Sequence, residues 1–161
     1  MAGYSNQKVF ILYEDEHLLV VKKPFGMESQ RGKSFAMDQE SLLRGYLSSK
    51  TKTDNPYLAV VHRLDRPVAG VMVYAKTKKA AADLSAQLQT ENFSKKYEAV
   101  VSGIVPACEG RLEDYLTADK RTGTTSVSSK ADPLAKKAVL TWKEIAREEV
   151  KSGEILLPYA S

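Results

Sequence analysis

The sequence predicts an α+β fold, with helices packed on a mixed, mainly antiparallel sheet. Short apolar runs bounded by turn residues indicate strands, and two longer segments with apolar residues three or four positions apart indicate helices. The order is strand, strand, helix, strand, strand, helix, strand and then further strands. A chain of 161 residues that is 43% hydrophobic can bury one core, and no repeat is visible. We therefore expect residues 1–161 to form one domain.

Two strands open the chain. Residues 9–13 and 17–22 are apolar runs on either side of an acidic turn at residues 14–16, which is typical of a β-hairpin. Pro24 and Gly26 interrupt the pattern, so the second strand should end before them and a loop should follow.

A helix and two more strands come next. Residues 37–49 carry apolar side chains at helical spacing, and Asp38 can cap the helix N-terminus. Residues 58–61 and 71–75 are short apolar runs, so both are predicted strands. A short charged segment joins them.

The second half of the chain predicts another helix and then strands. Thr77 can cap an amphipathic helix over residues 78–89. Residues 95–102 and 137–145 are predicted strands. The polar residues 117–133 predict a long exposed loop or a hairpin tip.

The net charge of +4 is unevenly placed. Residues 60–97 contain seven lysines and arginines but only three acidic residues. This local excess suits an anionic partner such as a nucleic-acid backbone. From charge alone, a solvated surface is the favoured explanation of the same run.

Composition indicates a cytoplasmic protein. The single Cys108 excludes an internal disulfide framework and fits a reducing compartment. No apolar run is as long as a transmembrane helix, so we expect no membrane partner. His17, His62 and Cys108 lack the spacing of metal ligands, so we expect no metal site.

The segment His62-Arg63-Leu64-Asp65 is the clearest candidate site. It lies between the two predicted strands just described, and Arg66 follows it. Charged groups are unfavourable near a core unless they are paired or used, and loops on a rigid scaffold often carry catalytic groups. Asp65 is therefore the first candidate for catalysis. The alternative is a loop carboxylate paired with Arg63 or Arg66, and His62 is either a core histidine or a base.

Three ordered segments resemble the RluA-type family of RNA pseudouridine synthases. Residues 13–24, YEDEHLLVVKKP, resemble the family's opening hairpin and lysine-proline turn. Residues 62–77 contain HRLD, then Gly70 and the sequence AKT, and resemble its catalytic segment. Residues 95–103, KKYEAVVSG, resemble its tyrosine-bearing strand. The order and spacing of the segments also agree.

The resemblance implies RNA pseudouridine synthesis without a metal or organic cofactor. A uridine of rRNA or tRNA would be flipped out of its stack. Asp65 would act on the ribose, as a nucleophile or by assisting a glycal-like intermediate, and the uracil would turn and rejoin through C5. Tyr97 would stack under the uracil and take part in proton transfer. The residues implied to bind RNA are His62, Arg63, Arg66, Lys95 and Lys96.

The chain departs from the family pattern in two places. Residues 66–70 are RPVAG, where many members have Thr and Ser before the glycine. The chain also ends at Ser161, about where the family continues with a strand and an arginine that pairs with the aspartate. We therefore expect a truncated catalytic domain without a separate S4-like domain. An unpaired strand at residues 154–159 would favour sheet-edge self-association, and the alternative function is a non-catalytic RNA-binding remnant.

Overall fold

The computed structural model describes residues 9–32, 37–90, 93–103, 105, 107–119 and 121–148. The chain divides into two compact units, Met1–Tyr97 and Glu98–Ser161. The predicted α+β class is confirmed, although the described strands form two antiparallel sheets and not one. The assignment of residues 1–161 to one catalytic domain remains a prediction.

The first unit contains a four-stranded antiparallel sheet. Its strands are β1 (Phe10–Glu14), β2 (Leu18–Lys23), β3 (Ala59–Val60) and β4 (Gly70–Ala75), and their spatial order is β1-β2-β4-β3. β1 and β2 form the predicted hairpin. The two strands predicted on either side of the charged segment are β3 and β4, and they pair with each other.

The core of the first unit lies on one face of strands β2 and β4. Successive side chains of a strand point to opposite faces, so alternate residues face the core. Leu19 pairs with Tyr74 and Val21 pairs with Met72, and all four side chains are fully buried. The central strand pair therefore forms a rigid base for the loops at its ends.

Helix α1 (Gln39–Thr51) covers this core. Asp38 caps it as predicted, and its carboxylate accepts a hydrogen bond from the Ser41 amide at 2.9 Å. Leu43 and Leu47 lie one turn apart on the same face, and both are buried in the core cluster.

Helix α2 (Lys78–Gln87) begins at the predicted cap. The Thr77 hydroxyl accepts a hydrogen bond from the Ala80 amide at 3.2 Å. None of the residues in this helix is fully buried. Neither of the two helices that the structure describes is long and apolar enough to span a bilayer.

The second unit contains a three-stranded antiparallel sheet. Its strands are β5 (Glu109–Ala118), β6 (Thr125–Ser128) and β7 (Lys136–Lys143), with β5 in the centre. Gly110 pairs with Trp142. A Cβ atom at Gly110 would lie 2.7 Å from the indole nitrogen, so the ring needs glycine at this position.

The later part of the chain differs from the sequence-based predictions at residues 95–102 and in the extent of β5. Residues 95–102 are not a strand, because a strand requires a paired neighbour and none of the described backbone pairs with this exposed segment. The last two residues of strand β5 belong to the segment 117–133, which was predicted to be a long loop or a hairpin tip. The structure shows the hairpin, formed by β5 and β6. The strand predicted at residues 154–159 lies outside the described residues.

Glu14 connects three elements of the first unit. One carboxylate oxygen accepts from the Tyr46 hydroxyl and the Lys50 ammonium, each at 2.8 Å, and the other accepts from Lys76 at 2.8 Å. Burial alone would raise the pKa of Glu14, but these hydrogen bonds outweigh it and lower the pKa to about 2. The carboxylate therefore joins β1 to α1 and to the residue that follows β4.

We predict that Glu14→Gln lowers the free energy of unfolding by roughly 1–3 kcal/mol at pH 7, the usual scale for hydrogen bonds to a charged group. Because the pKa is lowered in the folded state, the carboxylate stabilises the fold above pH 4.5 and less as the pH falls towards 2. Urea denaturation between pH 7 and pH 3 measures both effects. The exposed Glu16→Gln is the control. Equal stability of the two variants would contradict this role for Glu14.

Candidate active site

The charged segment lies on a loop between β3 and β4, as predicted. We call residues 61–69 the aspartate loop. Within it, the Val68 amide donates a hydrogen bond to the Asp65 carbonyl at 3.0 Å, which closes a turn. Asp65 is exposed on this turn.

A second loop, residues 24–32, is hydrogen-bonded to the aspartate loop, and we call it the proline loop. The Gly26 amide donates to the Arg66 carbonyl at 2.9 Å, and the Arg66 Nε donates back to the Gly26 carbonyl at 3.0 Å. Gly26 has a φ of 80°, a conformation that favours glycine. The Ser29 hydroxyl donates to the Leu64 carbonyl at 2.5 Å and accepts from the Leu64 amide at 3.0 Å.

Lys23, the last residue of β2, lies beneath both loops and is fully buried. Its ammonium donates to the Met27 carbonyl at 2.7 Å, to the Pro24 carbonyl at 3.1 Å and, more weakly, to the Arg66 carbonyl at 3.4 Å. Burial lowers the pKa of Lys23, and the negative charge of Asp65 opposes this shift. A buried cation therefore lies within electrostatic range of the candidate catalytic carboxylate.

The two loops line an open cavity of about 280 Å³. Its wall combines basic, acidic and small polar side chains from both loops. The lining residues are Glu28, Ser29, Gln30, Arg31, Gly32, Arg63, Leu64, Asp65 and Arg66. The structure thus brings together three of the residues that the sequence singled out, at positions 63, 65 and 66, and adds a third arginine from the proline loop.

Asp65 and the three arginines of this cavity, Arg31, Arg63 and Arg66, form no close ion pairs within the part of the chain that the structure describes. Arg66 instead donates to the Gly26 carbonyl. The alternative in which Asp65 is only a partner of its neighbouring arginines is therefore not what the structure shows.

His62 has a structural contact at the start of the aspartate loop. Its Nε2 accepts a hydrogen bond from the Val73 amide of β4 at 3.0 Å, which requires that nitrogen to be unprotonated. Burial lowers the pKa of His62, and the positive charge of Lys95 adds to the shift. The ring therefore holds the loop against β4 in its neutral form, and its role in RNA binding remains a prediction.

Three other candidates do not line the cavity. Tyr97 is 64% exposed, and Lys95 and Lys96 are also exposed. Lys95 is nonetheless close enough to His62 to affect its ionisation. The roles predicted for Tyr97 and the two lysines remain predictions.

Three residues of this site were not predicted from the sequence: Lys23, Ser29 and Arg31. Lys23 and Pro24 were noted as a turn, but no local pattern shows that the lysine is buried beneath a loop distant in sequence. Ser29 and Arg31 fall in a stretch predicted only as loop, where spacing carries no information about contacts.

Comparison with known proteins identifies the class. The family model described as RNA pseudouridylate synthase matches residues 17–156, so this chain belongs to that family. Two human structures, RNA Pseudouridylate Synthase Domain Containing 1 and Domain Containing 4, share the fold. The first has a TM-score of 0.65 at 19% identity over 88% of this chain and 54% of its own. The second has a TM-score of 0.64 at 24% identity over 81% of this chain and 51% of its own.

Curated relatives place the chain in the RluA-type group. It is 38% identical to the Dual-specificity RNA pseudouridine synthase RluA of Vibrio vulnificus, over 68% of this chain and 41% of the relative. It is 41% identical to the Ribosomal large subunit pseudouridine synthase D of Pseudomonas aeruginosa, over 59% and 29% respectively. It is 31% identical to the tRNA pseudouridine synthase C of Yersinia pestis, over 87% and 52%. The chain thus spans about half or less of the length of these relatives.

The neutral His62 predicts a pH dependence of stability. Because its pKa is lower in the folded state than in the unfolded state, its contribution is complete above about pH 6.5 and declines as the pH falls below that value. The unfolding free energy should therefore fall by up to about 1.4 kcal/mol per pH unit in this window. Urea denaturation between pH 7.5 and pH 5.5 measures the slope.

The variant His62→Gln should flatten this dependence, because glutamine does not titrate. His17→Gln removes the other histidine of the chain and serves as the matched control. If the pH dependence of the unfolding free energy persisted in H62Q and disappeared in H17Q, the effect would come from His17, and the prediction would be contradicted.

Proposed function

We propose that this chain carries the catalytic centre of an RNA pseudouridine synthase, an isomerase that converts a uridine of rRNA or tRNA to pseudouridine. One observation supports this most directly. The Asp65 carboxylate is exposed at a cationic cavity and has no ion-pair partner among the described residues. A carboxylate in that state is available to react with a bound group, and family membership indicates which reaction.

The reaction is an exchange of bonds at one ribose carbon. The uridine enters the cavity flipped out of its stack. Asp65 acts on the ribose, as the nucleophile at C1′ or by assisting a glycal-like intermediate, and the N1–C1′ bond breaks with its electron pair passing to the uracil. The uracil turns within the site and its C5 bonds to C1′; in the nucleophilic route this displaces the Asp65 carboxylate, and in the glycal-like route the proton lost from C2′ returns to it. The C5 proton is then lost and N1 regains a proton, so that substrate and product are isomers.

The cavity suits such a substrate. Its volume of about 280 Å³ is near the lower end for ligand pockets, roughly 300 Å³, which fits one flipped nucleoside better than a longer segment. Arg31, Arg63 and Arg66 can bind the flanking phosphates, since guanidinium groups match phosphate oxygens in geometry and charge. Lys95 and Lys96 are further exposed cations of the same unit.

The substrate class follows from the relatives. Their names specify a ribosomal large subunit, tRNA or a dual specificity. We therefore propose rRNA or tRNA as the partner, in a cytoplasmic setting.

A second candidate is a non-catalytic RNA-binding protein of the same fold. The exposure of Tyr97 favours it, because the resemblance places this side chain under the uracil and in the structure it does not line the cavity. In that case the chain would bind RNA through its arginines without converting uridine.

We predict that Asp65→Asn abolishes uridine conversion, lowering the rate by at least about 10³-fold, the scale of losing an essential catalytic group. Asparagine preserves the size of the side chain but removes the charge. Unmodified rRNA and tRNA transcripts are the substrates, and detection of pseudouridine is the measurement. Asp83→Asn, at an exposed position of α2, is the control.

Two results would count against this assignment. Conversion by D65N at the parent rate would remove Asp65 from the mechanism. Tight RNA binding by the parent chain without any conversion would favour the non-catalytic candidate.

We predict that Arg31→Gln reduces the salt dependence of RNA binding. If Arg31 contacts a phosphate, the slope of log K against log salt concentration should decrease by about 0.7–0.9 for the lost contact. The exposed Lys79→Gln on α2 does not line the cavity and is the matched control. Filter binding at several salt concentrations measures both slopes, and equal slopes for R31Q and the parent would exclude a phosphate contact.

A further inference from the structure

Ser29 makes a two-way contact with the backbone of the aspartate loop. Its side chain is only 5% exposed. The hydroxyl donates to the Leu64 carbonyl at 2.5 Å and accepts from the Leu64 amide at 3.0 Å. A hydroxyl has one donor and can accept at the same time, so both bonds form together. The Ser29 hydroxyl therefore holds both backbone polar groups of Leu64, its amide and its carbonyl.

Leu64 lies between Arg63 and Asp65 and is attached on two sides. Its side chain packs against the core cluster. Its Cδ1 also lies 3.1 Å from the position that a Cβ of Gly70 would occupy, so β4 approaches it closely. With the side chain held by the core and the backbone held by Ser29, Leu64 has little freedom to move. The neighbouring Asp65 carboxylate is thereby placed at the cavity.

Ser29 is itself attached to the sheet. The Tyr74 hydroxyl donates to the Ser29 carbonyl at 3.2 Å, and Tyr74 is a fully buried residue of β4. A continuous set of contacts therefore runs from β4 through Ser29 to Leu64 and Asp65. Catalytic groups need such support, because a displacement of about 1 Å can reduce a rate by about 10²-fold.

We infer that Ser29 is a positioning residue, whose hydroxyl holds the Leu64 backbone and so places Asp65 against the ribose of the bound uridine. The inference rests on the function proposed above. It assigns to Ser29 a role in turnover that is separate from the phosphate contacts proposed for the arginines, because both hydrogen bonds of its hydroxyl go to the Leu64 backbone.

Amide hydrogen exchange in the parent chain and in its Ser29 variants tests whether the Ser29 hydroxyl holds the Leu64 backbone. Ser29→Ala should accelerate exchange of the Leu64 amide by about tenfold or more, the effect of losing a buried hydrogen bond. Ser29→Cys keeps the size and retains a weak donor, so its effect should be intermediate. Ser85→Ala is the matched control, since the Ser85 hydroxyl also donates to a backbone carbonyl, that of Ala81 at 2.7 Å, but on α2.

Single-turnover conversion of the rRNA and tRNA transcripts tests the functional part. S29A should convert uridine at least about tenfold more slowly while its RNA affinity is unchanged, because the displaced group acts in the reaction and not in binding. S29C should be intermediate, and S85A should match the parent. The unfolding free energy of each variant shows whether a loss of rate merely follows a loss of stability.

Each outcome decides one point. Unchanged Leu64 exchange in S29A, or faster exchange with an unchanged conversion rate, overturns the positioning role. A rate loss that S85A shares also overturns it. If the parent converts no uridine, the proposed function fails, and the exchange rates still decide whether Ser29 holds the loop.

Discussion

The site depends on the hydrogen bonds that the buried ammonium of Lys23 donates to its two loops. Lys23 stands at the end of β2 and donates to carbonyls of both the proline loop and the aspartate loop. A buried ammonium is unfavourable unless its donors are satisfied, so movement of either loop away from Lys23 is opposed by the desolvation of the charge. The end of the central strand thus determines where both walls of the cavity lie.

The aspartate loop combines a backbone that is held with side chains that are free to act. Ser29 bonds the backbone at Leu64, and the neutral ring of His62 bonds the loop to β4. The side chains of Arg63 and Asp65, in contrast, form no ion pair with the described residues. Ser29 therefore holds the loop while the side chains of Arg63 and Asp65 stay available to a substrate, which is the arrangement expected of a preorganised site.

Local signals predicted the elements that depend on neighbouring residues. Asp38 and Thr77 are caps because their side chains bond amides three positions ahead, and this can be read from sequence. The contacts that build the site are not local. Lys23 and Arg66 are 43 positions apart, and Ser29 and Leu64 are 35 positions apart. Spacing along the chain cannot reveal such contacts, so the proline loop was recognised only as a loop.

Strands, too, depend on contacts between residues that are distant in sequence. Strand β5 has mostly exposed side chains, so it lacks the apolar alternation that marks a half-buried strand, and its pairing with β6 and β7 defines it instead. Residues 95–102 show the opposite case, a strand-like sequence that has no strand partner among the described residues. Their valines and tyrosine suggested a strand, but propensity forms no strand without a backbone partner.

The positive charge of Lys23 has an electrostatic effect in addition to its structural contacts. An apolar side chain of similar length would avoid the desolvation penalty, but it would leave the carbonyls of Pro24 and Met27 without their donor. A neutral amide could satisfy some of those carbonyls but would place no positive potential near Asp65. The negative charge of Asp65 opposes the lowering of the Lys23 pKa, so the two charged groups lie within electrostatic range of each other. The same residue therefore holds both loops and adds positive charge beneath the site, alongside the arginines that line the cavity.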